Sequence, residues 1–253
     1  GTAGRDRMFL AEEHLPIIAG PVAERLRGRD VTAFRTLAEE FDRLSVDGEP
    51  LHTAVRYGLT QALLDAAAIS GRETMAEVIC RAYGTTMADR PIPILVGASR
   101  TIPAQLDRII IKGAEILPHT PFLTVRDHLG EKGEKLVAYM ERLVDRIREI
   151  GEPGYQPRLH IDLYGTLGEA FANDAVAMAD YIGRLAAIAD PLELMVESPV
   201  IARSREEQIH LFLATNRHLK AKGIGARLVA DEWCNTLEDI RACLLYTSDA
   251  ADE

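Results

Sequence analysis

Three carboxylates stand where three apolar segments of the sequence end. "RLHID" ends at Asp162, "LELMVE" at Glu197 and "ARLVAD" at Asp231, with separations of 35 and 34 residues. Each separation fits one strand–helix unit, which places the carboxylates at the edge of a parallel sheet where α/β proteins build their sites. Converging carboxylates repel each other unless a cation neutralises them, and oxygen ligands suit Mg²⁺. The spacing therefore predicts a Mg²⁺ site.

The same three residues also fit an interpretation without a metal. An Asp at the end of a strand commonly caps the following helix by accepting a hydrogen bond from its first backbone N–H groups. On that interpretation Asp162 and Asp231 are helix caps, and the chain is a non-catalytic α/β binding or interaction fragment. The equal spacing of three carboxylates, each directly after an apolar run, favours the metal site.

Two histidines accompany the carboxylates. His119 follows "EILP", one strand–helix unit before Asp162. A neutral imidazole beside a metal-bound carboxylate can act as a general acid–base, although a loop histidine at the surface would fit the spacing as well. His160 shares strand parity with Asp162, which predicts a side chain that points inward and packs rather than one that binds the metal.

Other polar residues near these segments have simpler interpretations. Lys112 is expected at the C-terminal end of a helix, where its positive charge interacts favourably with the helix dipole. Glu232 and Trp233 are expected to shape the rim of the site and to cap the next helix. Cys234 is expected to be a small buried side chain, because no histidine lies near it in the sequence to activate the thiol.

The elements that must position these residues change character after "DRPIP". Residues 5–89 carry apolar residues at three- and four-residue spacing, which predicts helices without convincing strands, and Asp30 and Thr74 are predicted N-caps. Residues 91–242 alternate short apolar runs with long amphipathic segments, which predicts an α/β fold with a parallel sheet covered on both faces. Residues 243–253 continue no earlier pattern and are expected to be a non-native tail.

Composition narrows the class of protein. The 253 residues include 39 acidic and 29 basic ones, a net charge of −10, which argues against a nucleic-acid surface and against binding to anionic membranes. No apolar run approaches the ~20 residues of a membrane-spanning helix. Three cysteines without metal-ligand spacing indicate a reduced, cytoplasmic setting.

Several longer motifs extend over almost the whole chain. They are "AGRDRMFL" (3–10), "LHTAVRYGLTQALLDA" (51–66), "IIIKGAEILPH" (109–119), "GEKGEKLVAYM" (130–140), "HIDLYGTLG" (160–168), "VESP" (196–199) and "LVADEWCNTLEDI" (228–240). These motifs resemble the methylaspartate ammonia-lyase family of the enolase superfamily, and the combination of "HIDLYGT" with "ADEWCNT" is specific to it. The resemblance runs from about residue 3 to residue 242.

The resemblance implies a fold and an activity. The fold would be an incomplete (β/α) TIM-type barrel in residues 91–242, preceded in residues 1–90 by the helical part of an α+β capping domain. The activity would be the reversible elimination of ammonia from 3-methylaspartate, a small amino acid, to give mesaconate. Mg²⁺ would be held by Asp162, Glu197 and Asp231, with His119 on one face of the substrate. A cytoplasmic homodimer is also implied.

Two features depart from the family pattern. The family's lysine base lies on a strand just beyond the third metal ligand and has no counterpart here, so the chain is expected to be truncated at this end and inactive by itself. Truncation at the other end is expected as well, because the sequence starts with "GTAGRDRMFL" and no initiator Met. The family's glutamine that holds a substrate carboxylate is replaced by Gly97, which leaves the substrate-binding residues unknown. A racemase or dehydratase reaction on the same metal site is an alternative, although the "KxK" motif that would favour it is absent.

Overall fold

The computed structural model describes residues 8–247 of the chain. The chain divides into two compact units, of which the first ends at Pro91 and the second begins at Ile92. No helix within the described residues combines the length and the apolar character that are needed to cross a membrane.

The first unit is built mainly from amphipathic helices. On α3 the buried residues are three or four positions apart, so they form one apolar face that packs into the core of this unit; they are Phe34, Leu37, Ala38 and Phe41. The helices are α1 (Ala11–Ile17), α2 (Ala23–Leu26), α3 (Phe34–Asp42), α4 (Thr53–Gly71) and α5 (Met75–Tyr83), and the π-helical segment Ile18–Val22 joins α1 to α2.

A short hairpin in this unit was not predicted. Strands β1 (Ser45–Val46) and β2 (Glu49–Pro50) pair antiparallel around a two-residue turn. The turn residues Asp47 and Gly48 have φ angles of 53° and 85°, and an Asp-Gly pair with two positive φ angles is favoured in such turns. Strands of two residues are too short to show an alternating pattern, so the prediction of no strand was wrong here.

The two predicted N-caps had different outcomes. Thr74 caps α5 in a capping box, in which its hydroxyl accepts a hydrogen bond from the backbone N–H of Glu77 at 3.2 Å and its own N–H donates to the Glu77 carboxylate at 2.7 Å. Asp30 does not cap a helix. Its carboxylate accepts from the backbone N–H of Thr32, and α3 begins only at Phe34, because residues 30–33 form a turn first.

The second unit confirms the predicted α/β class. Five parallel strands lie in the order β3-β4-β5-β6-β7, so each strand pairs with its neighbour in sequence. The strands are β3 (Leu95–Gly97), β4 (Ile116–Pro121), β5 (Arg158–Asp162), β6 (Leu194–Glu197) and β7 (Ala226–Val229). The helices are α6 (Pro103–Ile111), α7 (Glu134–Ile150), α8 (Thr166–Ala170), α9 (Ala175–Ala189), α10 (Arg205–Ala221) and α11 (Leu237–Thr247), and Val125–Leu129 is π-helical.

The central strand β5 is buried on both faces. Leu159 and Ile161 are fully buried, and the alternate residues His160 and Asp162 are buried as well. A strand covered on both faces loses the polar–apolar alternation of a half-exposed strand. The buried faces of α7 and α9 belong to the same apolar core as Leu159 and Ile161, so this core fixes the position of the strand whose last residue is Asp162.

The last helix extends into the first five residues of the segment predicted to be a non-native tail. Helix α11 runs from Leu237 to Thr247, and residues 248–253 lie outside the described residues. The prediction about residues 243–253 therefore stays a prediction.

We predict that the core around β5 determines the stability of the second unit. Ile161→Ala removes a fully buried side chain and should lower the free energy of unfolding by about 2–5 kcal/mol, because burial is lost and a cavity remains. The matched control is Ile111→Ala on α6, where the side chain is 64% exposed and the expected change is within about 0.5 kcal/mol. Urea unfolding followed by circular dichroism measures both, and equal losses in the two variants would contradict the prediction.

Candidate metal centre

The carboxyl-terminal edge of the sheet brings His119, Asp162 and Glu197 together. Asp162 and Glu197 are register partners at the ends of the neighbouring strands β5 and β6. The Nε2 atom of His119 on β4 lies 3.2 Å from a carboxylate oxygen of Glu197 and 3.8 Å from a carboxylate oxygen of Asp162. Three consecutive strands thus present one imidazole and two carboxylates to the same space.

The two carboxylates are held in an environment that disfavours their charge. Burial, reinforced by the charge of Glu197, raises the pKa of Asp162 to about 7. Burial also raises the pKa of Glu197, and the charges of Asp231 and Glu232 add to the shift, while His119 opposes it. One hydrogen bond stabilises the ionised form of Asp162, from the backbone N–H of Tyr164 at 3.2 Å. Such a group of carboxylates fits a divalent cation, which would offset the repulsion.

Asp231 belongs to the same electrostatic environment but is placed differently. It follows β7, which ends at Val229 opposite Glu197, and its side chain is exposed. Its charge raises the pKa of Glu197, so the two carboxylates interact. The structure therefore places Asp231 near the predicted centre, on the loop beyond the strand rather than on the strand itself.

The tightest cluster of potential metal-binding atoms differs from the predicted set. Among the described residues it consists of His119, His160 and Glu197, whose ligand atoms lie within 4.8 Å of one another. Asp162 and Asp231 stand outside this cluster. The difference has a physical reason, because an imidazole N–H can approach a carboxylate closely, whereas carboxylates repel one another.

His160 does more than pack in the core. Its Nε2 atom lies 3.2 Å from a carboxylate oxygen of Glu197, and its ring stacks on His119 with 5.3 Å between ring centres. Burial and the neighbouring His119 lower the pKa of His160 to about 4, so the ring is neutral. The neutral ring therefore places its Nε2 atom against the Glu197 carboxylate, and Nδ1 is buried without a hydrogen-bond partner among the described residues. The shared parity with Asp162 was the signal for this role.

A second buried acid lies behind the centre. Glu232 is 2% exposed, and its carboxylate accepts a hydrogen bond from the Ser198 hydroxyl. The prediction that Glu232 caps the next helix was wrong, because α11 begins five residues later and has its own capping pair, in which Thr236 precedes the helix and Asp239 lies in its first turn. Trp233 does not cap α11 either. Its ring N–H donates to the backbone oxygen of Ala202 at 3.2 Å.

The two remaining polar candidates, Lys112 and Cys234, are not assigned a role in the metal centre. Lys112 is the C-cap residue of α6, as predicted for a helix-end lysine. Burial raises the pKa of the Cys234 thiol to about 12, which keeps it protonated and unreactive.

Gly97 lies beside the centre, at the end of β3. It is the register partner of His119, and a Cβ added to it would meet the His119 backbone oxygen at 3.4 Å, an ordinary contact. Next to it is a cavity of about 420 Å³, lined among others by Gly97, Ser99, Arg100 and His119. We call this the His119 cavity. A larger side chain would fit at position 97, so the glycine leaves room beside the imidazole.

We predict that His160 holds Glu197 in place. His160→Phe keeps the buried ring but removes the nitrogen that lies 3.2 Å from the Glu197 carboxylate. It should lower the free energy of unfolding by about 1–3 kcal/mol, because a largely buried carboxylate loses a polar neighbour. The exposed His210 on α10 gives the control His210→Phe, which should change stability by less than about 0.5 kcal/mol. Urea unfolding compares the two. An unchanged stability of His160→Phe would show that Glu197 does not depend on this contact.

Comparisons with known proteins agree over both units. Residues 1–84 match the family model described as methylaspartate ammonia-lyase N-terminus, and residues 86–252 match the one described as methylaspartate ammonia-lyase C-terminus. Methylaspartate ammonia-lyase from Clostridium tetanomorphum is 44% identical over 242 residues, and methylaspartate ammonia-lyase 2 from Carboxydothermus hydrogenoformans is 46% identical over 242 residues. Each alignment covers 95% of this chain but only 59% and 58%, respectively, of the relative.

Solved structures show the same similarity. A Mg complex of β-methylaspartase from Clostridium tetanomorphum matches 96% of this chain and 59% of its own, with a TM-score of 0.87 and 43% identity. The Citrobacter amalonaticus methylaspartate ammonia-lyase containing (2S,3S)-3-methylaspartic acid matches 98% of this chain and 61% of its own, with a TM-score of 0.90 and 43% identity. The matches of both units in sequence and in structure show that this chain belongs to the methylaspartate ammonia-lyase family.

Proposed function

We propose that this chain carries the Mg²⁺ site and one acid–base group of an enzyme that reversibly eliminates ammonia from 3-methylaspartate to give mesaconate. The observation that carries the proposal is the approach of His119 Nε2 to the carboxylates of Glu197 and Asp162, at 3.2 Å and 3.8 Å. The names of the relatives support the reaction, and the Mg complex of the Clostridium tetanomorphum enzyme supports the metal.

In this proposal Asp162, Glu197 and Asp231 hold the metal. Their oxygen atoms suit Mg²⁺, which prefers oxygen ligands and keeps places in its shell for substrate oxygens. The nearby imidazoles of His119 and His160 would instead suit a softer ion such as Zn²⁺. In our proposal the imidazoles stay outside the shell, with His160 against Glu197 and His119 facing the substrate.

The reaction needs the residues of the chain for binding and proton transfer. When bound, Mg²⁺ would stabilise the negative charge that develops on the substrate carboxylate as the neighbouring C3 proton leaves. His119, on the end of β4 with 39% of its side chain exposed, is accessible to the substrate and is proposed to exchange a proton with it on one face. The lysine that the family resemblance implies for the other face lies on a strand after β7, and no strand follows β7 in residues 8–247.

The remaining parts of the assignment are also proposals. We infer that the five-stranded sheet is part of a (β/α) barrel of the enolase superfamily and that the first unit is the helical part of a capping domain, which the TM-scores of 0.87 and 0.90 support. A cytoplasmic homodimer is proposed from the family resemblance alone.

One observation favours a second candidate. Gly97 opens the His119 cavity of about 420 Å³ at the position where the resemblance implies a glutamine that binds a substrate carboxylate. The site would then accept another carboxylate-bearing substrate, including one for a racemase or dehydratase reaction on the same metal.

We predict that Mg²⁺ stabilises the chain through these carboxylates. At a Mg²⁺ concentration of 100 times Kd the stabilisation should be about 2.7 kcal/mol, measured by thermal unfolding at constant ionic strength. Asp162→Asn and Glu197→Gln should abolish the response without unfolding the protein, because burial already disfavours the charged carboxylates at these positions.

The control for charge is Asp145→Asn on α7, whose side chain is 78% exposed and which should keep the full response. Parallel titrations with Mn²⁺ and Zn²⁺ distinguish the oxygen site from a histidine site. A stabilisation by Zn²⁺ that exceeds the one by Mg²⁺ and disappears in His160→Phe would contradict the proposed ligand set, and a response of Asp162→Asn equal to the wild type would do so as well.

The reaction itself is tested in a chimera. The matching segment of the Clostridium tetanomorphum enzyme is replaced by residues 8–242 of this chain, so that the relative supplies the remaining parts of the site. We expect Mg²⁺-dependent formation of the conjugated product from 3-methylaspartate, followed by ultraviolet absorbance. Changing His119 to Gln should lower kcat by a factor of about 10² to 10⁴.

A Gly97→Gln chimera and a panel of other amino-dicarboxylates test the second candidate. If the chimera with Gly97 is more active on another amino-dicarboxylate than on 3-methylaspartate, that compound replaces 3-methylaspartate as the proposed substrate. A His119→Gln chimera as active as its parent would contradict the role of the imidazole.

A further inference from the structure

We propose that the second unit contains a binding site for a small, doubly charged oxyanion, separate from the metal centre. The site is a cavity of about 290 Å³ between the loop after β3, the end of β4, the π-helical segment and the first turns of α7. We call it the basic cavity. Its charged lining residues are Arg100, Lys135, Arg142 and Asp127. The inference is independent of the function proposed above.

The charge of the cavity is unbalanced. Three cations face one carboxylate, in a protein whose net charge is −10. Neither Arg100 nor Arg142 forms an ion pair with any of the described residues, and the Lys135 ammonium donates instead to the backbone oxygen of Arg126 at 2.7 Å. Cations that line the same cavity repel one another, and a bound anion would offset that repulsion.

Two other arginines of the same unit do have carboxylate partners. Arg146, one turn after Arg142 on α7, binds both carboxylate oxygens of Asp107 at 2.7 Å. Arg205 contacts Asp239 at 2.9 Å. The two arginines of the basic cavity therefore keep their guanidinium donors available for a ligand. The guanidinium groups of Arg146 and Arg205, in contrast, already bind carboxylates of the protein.

The cavity also holds one guanidinium in a defined place. The Arg100 guanidinium carbon lies 5.2 Å from the centre of the Phe122 ring, which is itself fully buried and packs edge-on against Tyr139 with 5.4 Å between ring centres. A cation over an aromatic face is attracted to it, so Arg100 is oriented before any ligand arrives. An oriented guanidinium can donate two parallel hydrogen bonds to an oxyanion.

The pKa of His128, which also lines the basic cavity, reflects the positive charge there. Burial lowers the pKa of His128, and the charges of Arg100 and Lys135 lower it further, while Asp127 opposes them. The Nδ1 atom of His128 accepts a hydrogen bond from the backbone N–H of Leu123 at 3.0 Å, which fits a neutral ring. An anion in the cavity would face Arg100, Lys135 and Arg142, with Asp127 as the opposing negative charge.

The size and chemistry of the cavity define the ligand class. About 290 Å³ corresponds to roughly ten water molecules, enough for a phosphate group or a short dicarboxylate with some of its hydration. Two guanidinium groups and one ammonium favour an anion with two charges over chloride. Arg100 and Thr101 also line the His119 cavity, so an anion bound here would lie next to the space beside the imidazole.

The test is calorimetric titration of the 253-residue chain with inorganic phosphate, in buffer without Mg²⁺ and at ionic strength held constant with chloride. A second titration uses succinate, to distinguish a phosphate ligand from a dicarboxylate. We expect saturable binding of at least one of the two, weakened at least tenfold in Arg100→Gln and in Arg142→Gln.

The matched control is Arg148→Gln, on the same helix and with the same change of charge, which lies outside the basic cavity and should bind as the wild type does. Thermal unfolding without ligand verifies that each variant is folded. The proposal is overturned if neither anion binds more tightly than chloride, if Arg100→Gln and Arg142→Gln bind like the wild type, or if Arg148→Gln weakens binding equally.

Discussion

The repulsion between Asp162 and Glu197 is the constraint around which the carboxyl-terminal edge of the sheet is arranged. The parallel register places the two carboxylates side by side, and their burial leaves little water to screen them. The Tyr164 backbone N–H donates a hydrogen bond to Asp162, and the imidazoles of His119 and His160 each lie 3.2 Å from a carboxylate oxygen of Glu197. A cation would relieve the repulsion that remains.

The end of β4 separates two environments of opposite charge. His119 on this strand faces the acidic centre, and Phe122, just after it, supports the guanidinium of Arg100 in the basic cavity. Both depend on the same apolar core, because Phe122 belongs to the core that also holds Leu159 and Ile161 of β5. A single packed core therefore supports groups of both signs.

Much of the fold and part of the candidate site could be predicted from the sequence. The alternation of short apolar runs with amphipathic helices predicted the parallel α/β unit, and the strand-end positions predicted that His119, Asp162 and Glu197 would meet. The β1–β2 hairpin was missed because two-residue strands carry no periodic signal. The role of Glu232 as a helix cap was predicted wrongly, because the sequence could not show that Thr236, four residues later, caps the next helix.

The sequence by itself determined which residues reach the carboxyl-terminal edge, because strand parity and the length of one strand–helix unit are local properties of the chain. It also determined family membership, through motifs that extend over both units. Only the tertiary structure decided that His160 contacts Glu197, that Glu232 is buried against Ser198, and that Arg100, Lys135 and Arg142 share one cavity. Those contacts join residues from different elements, and their distances depend on packing and burial that no local pattern encodes.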